Sequence, residues 1–377
     1  MVSIAGHSAN KIHPLTSLRF FAAQLVVFYH TLYVVFPGFH GLGFVAATVR
    51  LGYVSVSFFF FLSGYILSVV YLHESNGIDR HKFWVSRFAR IYPLFYITLV
   101  LDTPILLMQR VASYGLRMGL GKTAITFAAN TVMLQAWVPI FRGIDNPNWS
   151  LSVETFFYLL FPFIGVILWR QKSSRLWLFA LFLYFGSQAL IWYATLYFSP
   201  QKISSLPLLH LCTFALGILL ARSQAEKRAR LNAKPMPSWR PYVVLAFGVV
   251  AFVGVVYNPH AIPEIYLSDG LLAPIFACVI WYFSSVDTWL TRLFSLPLLV
   301  LLGEASYGLY LIHIPVWHLF ELLHLVAIQA LYPLYLCLCI GLSILSFYFV
   351  ETPARRWLLH RFAVRSQESM ETASDAQ

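Results

Sequence analysis

Residues 58–72 read FFFFLSGYILSVVYL. A half-buried strand or a membrane β-barrel would alternate apolar and polar residues at every second position. This stretch does not; it is a continuous apolar run. Runs of about 20 such residues recur along the chain, each long enough at helical rise to cross about 30 Å of hydrocarbon. The sequence therefore predicts an all-α integral membrane protein: a bundle of about ten transmembrane helices plus one short re-entrant or interfacial helix.

Composition agrees. Of 377 residues, 59% are hydrophobic and only 11% charged, and the mean hydropathy is +0.71. A water-soluble protein could not hide so much apolar surface. The net charge of +11 could point to nucleic acid, but the basic residues fall in short segments between spans, the pattern set by membrane orientation. No nucleic-acid partner is expected. The four cysteines, Cys212, Cys278, Cys337 and Cys339, lie inside apolar runs at no zinc or disulfide spacing, and read as small buried hydrophobes.

Spans are predicted near 15–36, 50–72, 91–109, 149–169, 176–198, 206–221, 241–257, 270–284, 305–325 and 330–350. The shorter apolar stretch 123–140 is settled by charge. If it does not cross and the N-terminus is cytoplasmic, twenty of the twenty-six basic residues fall on the inner side. If it crosses, the bias largely vanishes, so 123–140 is expected to be re-entrant or interfacial on the outer side. Both termini then face the cytoplasm. The first apolar stretch lacks a small-x-small cleavage site and reads as a retained helix, not a signal peptide. The domain reading is a cytoplasmic segment at 1–14, a membrane domain at 15–360, and a polar, disordered cytoplasmic tail at 361–377. The basic segment 222–240, closed by Pro235 and Pro237, reads as a linker facing anionic lipid headgroups.

Three constellations carry chemistry. In RFFAAQLVVFYH, 19–30, Arg19 and His30 are eleven residues apart, about three helical turns, so they share a face some ~16 Å apart along the axis. Arg19 is expected near the cytoplasmic surface and His30 near mid-membrane, where a neutral imidazole can act as a base. A snorkelling arginine and a packing histidine are the competing explanation. In RHKFWVSRFARIYP, 80–93, Arg87 and Arg90 project from one helix face and suit phosphate oxygens, with Arg80 and Lys82 as further charge. An ordinary inner-side basic cluster is the alternative. In NPNWSLSVETFFYLLFP, 146–162, Asn148 and Ser150 are helix-cap candidates and Trp149 an interface anchor. Glu154, a turn inside, could bind a hydroxylated acceptor or orient His30; favour from the helix dipole is its plainer explanation.

Weaker signals remain. Ser63–Gly64 fits close helix packing better than a nucleophile. Asp102 with Pro104 could mark a polar-lined kink. His313 lies mid-span, and His318, Glu321 and His324 could in principle hold a metal, but no second ligand set accompanies them, and no metal is predicted.

Together these stretches resemble the bacterial acyltransferase 3 family, over about 15–360. LTSLRFFAAQLVVFYH matches that family's pattern of arginine, ten residues, then histidine. FFFFLSGYILS, RFAR followed by IYP, WSLSVETFFYLLFP, LGEASYGLYLIHIPV and FVETPARR match its later landmarks in order. Thr155, Phe156, Gly308 and Thr352 depart from common family residues. The resemblance implies a membrane O-acyltransferase of the bacterial inner membrane. It would move an acyl group, acetyl by default, from cytoplasmic acetyl-CoA to a hydroxyl of an extracytoplasmic saccharide such as an exopolysaccharide or O-antigen. Arg87 and Arg90 would hold coenzyme A phosphates at the cytoplasmic mouth, with the pantetheine arm beside Arg19. His30 would deprotonate the acceptor or relay the acyl group covalently, and Glu154 would sit on the acceptor side. Expected partners are the glycan acceptor, membrane lipids and polysaccharide-assembly proteins. A lipid or small-molecule acceptor is a variant of the same reading. A glycan transporter would need similar spans, but no internal repeat is found. A partner protein without chemistry would tolerate replacement of His30.

Overall fold

The computed structural model describes residues 3–41, 43–72, 78–144, 146–171, 173–230, 239–258 and 261–362. The tail expected at 361–377 lies almost wholly outside them. Among the described residues there is no strand. Nine helices are long and apolar enough to cross a membrane. There are ten when the pair Pro297–Glu304 and Ser306–Leu322, bent by 57°, counts as one span. The protein is an all-α integral membrane protein, as the apolar runs predict.

The principal helices are α1 (Ser3–Val35), α2 (Val54–Tyr71), α3 (Arg80–Tyr114), α4 (Leu116–Thr131), α5 (Trp149–Trp169), α6 (Ser173–Tyr197) and α7 (Pro207–Arg230). They continue with α8 (Arg240–Tyr257), α9 (Ala273–Ser285), α10 (Pro297–Glu304), α11 (Ser306–Leu322) and α12 (Tyr332–Ser346). Helix α1 runs unbroken from Ser3, so no structural break marks a boundary at 14.

Two ends of the bundle are tied by separate contacts. At one, Arg222 Nε donates to the Trp169 carbonyl at 2.6 Å, Ser17 Oγ to that of Phe294 at 2.5 Å, and Arg80 lies over the Phe163 ring. Arg80, Arg170, Arg222 and Arg292 stand beside these contacts in the chain. At the other, Tyr33 bonds the Ala46 carbonyl, Phe44 packs on Tyr257, and Arg142 donates to the Gln201 carbonyl at 2.9 Å.

Stretch 123–140 forms no single helix. Gly115, at φ 77°, reverses the chain, and α4 returns antiparallel along α3. Arg110 donates to the Lys122 carbonyl at 2.6 Å and to Thr126 at 2.8 Å, and Tyr92 OH to the Thr131 carbonyl at 3.0 Å. Helix α4 then stops, and 132–144 and 146–148 are built of turns and short 3-10 segments. Sixteen residues rise only about 24 Å, less than a hydrocarbon core. Hydrogen bonds inside the bundle satisfy its end: Asn130 Nδ2 donates to the Phe141 carbonyl at 2.8 Å, and Gln135 to that of Asn148 at 3.0 Å. This is the helix expected not to cross, but it begins seven residues earlier than expected and ends at Thr131.

Because 132–148 dips into the bundle, α5 begins there too. Trp149 therefore packs against Phe60 and His210, with ring centroids 6.4 and 5.3 Å away, instead of anchoring at an interface. The fully buried His210 is held by Asp269, at 2.6 Å. Asn148 precedes α5 but makes no side-chain cap bond. Ser150 bonds the Pro147 carbonyl and Tyr310 OH, at 3.0 and 2.7 Å.

Missing side chains set the closest helix contacts. A Cβ on Gly64 would strike the Phe214 carbonyl oxygen, and one on Gly217 that of Phe61, so α2 and α7 touch backbone to backbone. Such packing holds helices together where lipid offers no hydrophobic drive. Gly308, a departure from the family pattern, follows the same logic: a Cβ there would lie 2.5 Å from Ser346 Oγ on the α12 side. Gly217→Val is expected to destabilise the bundle by about 1–3 kcal/mol through overpacking. Gly254→Ala, with open space around it, should leave stability unchanged. Thermal unfolding in detergent distinguishes the two; an equal response from both would refute the close α2–α7 contact.

Candidate active site

Helices α1, α2, α3, α5 and α11 enclose a cavity of about 190 Å³. Its wall includes Arg19, Ser63, Arg87, Arg90, Glu154, Tyr158, Glu304 and Tyr310. Four of the five residues singled out from sequence thus meet in one place. His30 is not in the wall; it stands beyond one end.

Helix α3 explains how two arginines reach the interior. It is capped at Asp79, whose carboxylate accepts from Lys82 N at 3.0 Å, so the basic cluster is the helix's own first turns. Arg87 and Arg90 lie seven and ten residues in, and both line the cavity. Arg80 and Lys82 stay exposed. Arg19 joins Arg87 and Arg90 in the cavity wall from α1, on which α10 packs so closely that a Cβ on Gly303 would meet the Thr16 carbonyl.

Arg87 is held. It donates to Tyr71 OH at 3.0 Å and lies over the rings of Tyr71, Phe83 and Tyr158. Arg19 and Arg90 are not. Neither guanidinium makes a hydrogen bond, or an ion pair within 4.0 Å, with any described residue. Glu304 and Glu154 act on both only at longer range. Glu154 is engaged elsewhere, accepting from Tyr158 OH and from Ser63 Oγ at 3.5 Å. A buried cation without a directly paired carboxylate is costly, and two of them face this one cavity. Beside it, a π-helical turn at Phe347–Glu351 leads Glu351 into a small pocket shared with Arg90, Glu304 and Arg355.

At the other end of the cavity the wall is Val56, Phe59, Ser150 and Tyr310. One turn further along α11 stands His313, fully buried, its ring 5.4 Å from that of His30. His313 Nδ1 lies 2.7 Å from the Tyr310 carbonyl, and His30 Nδ1 lies 3.0 Å from the Val26 carbonyl. Carbonyls only accept, so in the neutral rings both Nδ1 atoms carry the proton. His313 Nε2 is then a lone pair, 3.4 Å from His30 Nδ1. His30 Nε2 is left bare, with no partner among the described residues, the state a general base requires.

The structure differs from expectation at Glu154. It belongs to the arginine cavity, not to the far side of His30, and its bonds go to Tyr158 and Ser63, not to His30. The outer set is likewise taken apart: His318 bonds Asp102, and Glu321 accepts from Trp317 at 2.8 Å. Among the described residues no three potential metal ligands converge. Sequence reasoning passed over Tyr158, Glu304 and Tyr310. Their signal was position: Tyr158 is one turn beyond Glu154, and Tyr310 one turn before His313.

The chain belongs to the acyltransferase 3 family, whose model, described as "Acyltransferase domain", matches residues 13–351. A Staphylococcus aureus (strain COL) protein named "Putative O-acetyltransferase SACOL0978" is 27% identical over 333 residues, 81% of this chain and 53% of that protein. "Acyltransferase MdmB" of Streptomyces mycarofaciens is 31% identical over 172 residues, 44% of this chain and 42% of that protein. "Peptidoglycan O-acetyltransferase OatA" of Listeria monocytogenes is 24% identical over 374 residues, 93% of this chain and 57% of that protein. The chain spans about half the length of these curated relatives. No solved structure matches it.

If Arg19 and Arg90 are kept for a ligand at the expense of folding, Arg90→Met should stabilise the ligand-free protein by about 1–2 kcal/mol. A rise in the detergent unfolding midpoint checks this; a fall would show that Arg90 supports the fold.

Proposed function

We propose that this protein is a membrane O-acetyltransferase of the bacterial inner membrane, moving an acetyl group from cytoplasmic acetyl-CoA to a hydroxyl of a saccharide at the opposite face. The observation that carries the reading is the pair of unpaired guanidiniums, Arg19 and Arg90, in a cavity that leads to the bare Nε2 of His30. Coenzyme A is a polyanion with a slender arm. Arg87 and Arg90 suit its phosphate oxygens, and the narrow cavity past Arg19 suits the arm, whose thioester would reach Tyr310 and the histidine pair. Glu154, bonded to Tyr158 and Ser63, lines the arm's path and is proposed as a positioning residue there.

The chemistry balances without a further reactant. His30 Nε2 takes the proton of the acceptor hydroxyl as its oxygen attacks the thioester carbonyl carbon. The tetrahedral intermediate collapses, the C–S bond breaks, and the coenzyme A thiolate takes the proton back from His30. His313 and the Val26 carbonyl hold the His30 ring at Nδ1 throughout. Three features support the orientation: the arginine cavity faces the basic end, basic segments favour the cytoplasm, and acetyl-CoA is a cytoplasmic metabolite. The termini are then cytoplasmic. A surface glycan is the acceptor favoured by the name of the Listeria relative; exopolysaccharide and O-antigen are within the same class.

Membranes containing the protein, given acetyl-CoA labelled in the acetyl group, should transfer label to extractable glycan. His30→Ala is expected to lower transfer by about 10²–10⁴-fold. Arg87→Ala/Arg90→Ala should raise the acetyl-CoA KM by about tenfold or more. Undiminished transfer by His30→Ala would end its assignment as base; label passing only to lipid would move the acceptor class.

A further inference from the structure

We propose that Tyr29, Tyr53 and Glu264 form the acceptor's seat: a shelf of two phenol rings and a carboxylate beside His30, opposite the arginine cavity, shaped for one sugar ring of a glycan. The proposal rests on the acyltransferase reading above, and supplies the acceptor side that Glu154 does not.

Three separate elements build the shelf. Tyr29 precedes His30 on α1, and their ring centroids are 5.1 Å apart in an edge-to-face arrangement. Tyr53 ends the 3-10 turn Leu51–Tyr53, and its ring lies 5.7 Å from that of Tyr29, inclined at 62°. Glu264 opens the short helix Glu264–Ser268, which packs against α2, the helix that follows Tyr53 directly. Each element is fixed. A Cβ on Gly52 would lie 2.5 Å from the Leu25 carbonyl oxygen and from Tyr29 Cβ, so the turn carrying Tyr53 rests on the α1 backbone. Ser57 of α2 bonds the carbonyl of Ser268, which ties the short helix to the same place.

The placement continues the donor route. Tyr53 lies one turn before Val56 on the chain, and Val56 is in the cavity wall with Phe59 and Tyr310. His313 bonds the carbonyl of Tyr310 in the cavity wall, and His30 packs on both His313 and Tyr29, so the histidine pair links wall and shelf. Tyr29, His30 and Tyr53 are partly exposed and Glu264 is exposed, so all four offer surface to a ligand.

The chemistry selects the ligand class. A sugar ring presents a face of C–H groups and an edge of hydroxyls. Phenol rings offer an apolar face with a polar tip, and an ionised carboxylate accepts hydrogen bonds from hydroxyls without competing for them as a donor. A ring seated on Tyr53 and Tyr29, with one hydroxyl on Glu264, would direct another at His30 Nε2. If the tyrosines served only as membrane-interface anchors, Glu264 would have no part in recognition.

The test uses the full chain in membranes, labelled acetyl-CoA, and the water-soluble glycan fraction that wild type acetylates. Tyr53→Ala should raise the KM for glycan about tenfold, and Glu264→Gln about threefold or more. The KM for acetyl-CoA should stay within about twofold in both, a split that general loss of folding does not produce. Tyr53→Phe, which keeps the ring, should stay within about twofold of wild type for both substrates. An unchanged glycan KM in Tyr53→Ala and Glu264→Gln overturns the shelf and leaves the acyltransferase reading standing. Wild type that labels a lipid or small molecule and no glycan overturns the saccharide reading, and the shelf with it.

Discussion

Two arginines inside an apolar bundle without a paired carboxylate are the constraint around which the rest is arranged. A guanidinium does not lose its charge in a protein, and bringing it out of water costs several kcal/mol unless something repays the cost. The fold contains carboxylates that could do so. Glu154 is in the same cavity wall, but is turned to Tyr158 and Ser63. Glu304 is in the wall too, outside ion-pair distance. Arg19 and Arg90 thus keep their guanidinium donors free of direct partners, while Glu304 and Glu154 act on both from a distance.

Everything else keeps that site narrow and aimed. Backbone-to-backbone contact at Gly64 and Gly217, and at Gly303 against α1, draws the helices in until only a slender space remains. The re-entrant stretch after α4 lets α5 begin within the bundle, which places Ser150 against Tyr310 at 2.7 Å and caps the cavity below the histidines. The histidine pair is oriented by two backbone carbonyls, a device that uses no further ionisable group in the apolar interior.

The fold class was readable because hydrophobic runs of span length are a strong, local signal. That 123–140 would form no helix of span length agrees with the sixteen-residue α4, but its ends were not legible: helix α4 starts where Gly115 permits a reversal, a backbone event that hydropathy does not register. Arg19, Arg87 and Arg90 were found through the rarity of charge in apolar surroundings, but that all three line one cavity is a matter of tertiary packing. Glu154 was found too, but its bonds to Tyr158 and Ser63 were not legible, because one helix's sequence does not say which neighbours its face meets. His313 was visible as a mid-span histidine, but its proximity to His30, 283 residues away in sequence, is a property of tertiary packing alone. Tyr29, Tyr53 and Glu264 are common residue types at membrane boundaries and carried no sequence signal at all.

The most direct measurement is an experimental structure of the full chain in lipid with a non-hydrolysable acetyl-CoA analogue. The account predicts phosphate density at Arg87 and Arg90, the arm running past Arg19, and the acyl carbonyl carbon within reach of an acceptor oxygen bonded to His30 Nε2. Coenzyme A bound elsewhere, with Arg19 and Arg90 still facing an empty cavity, would contradict it.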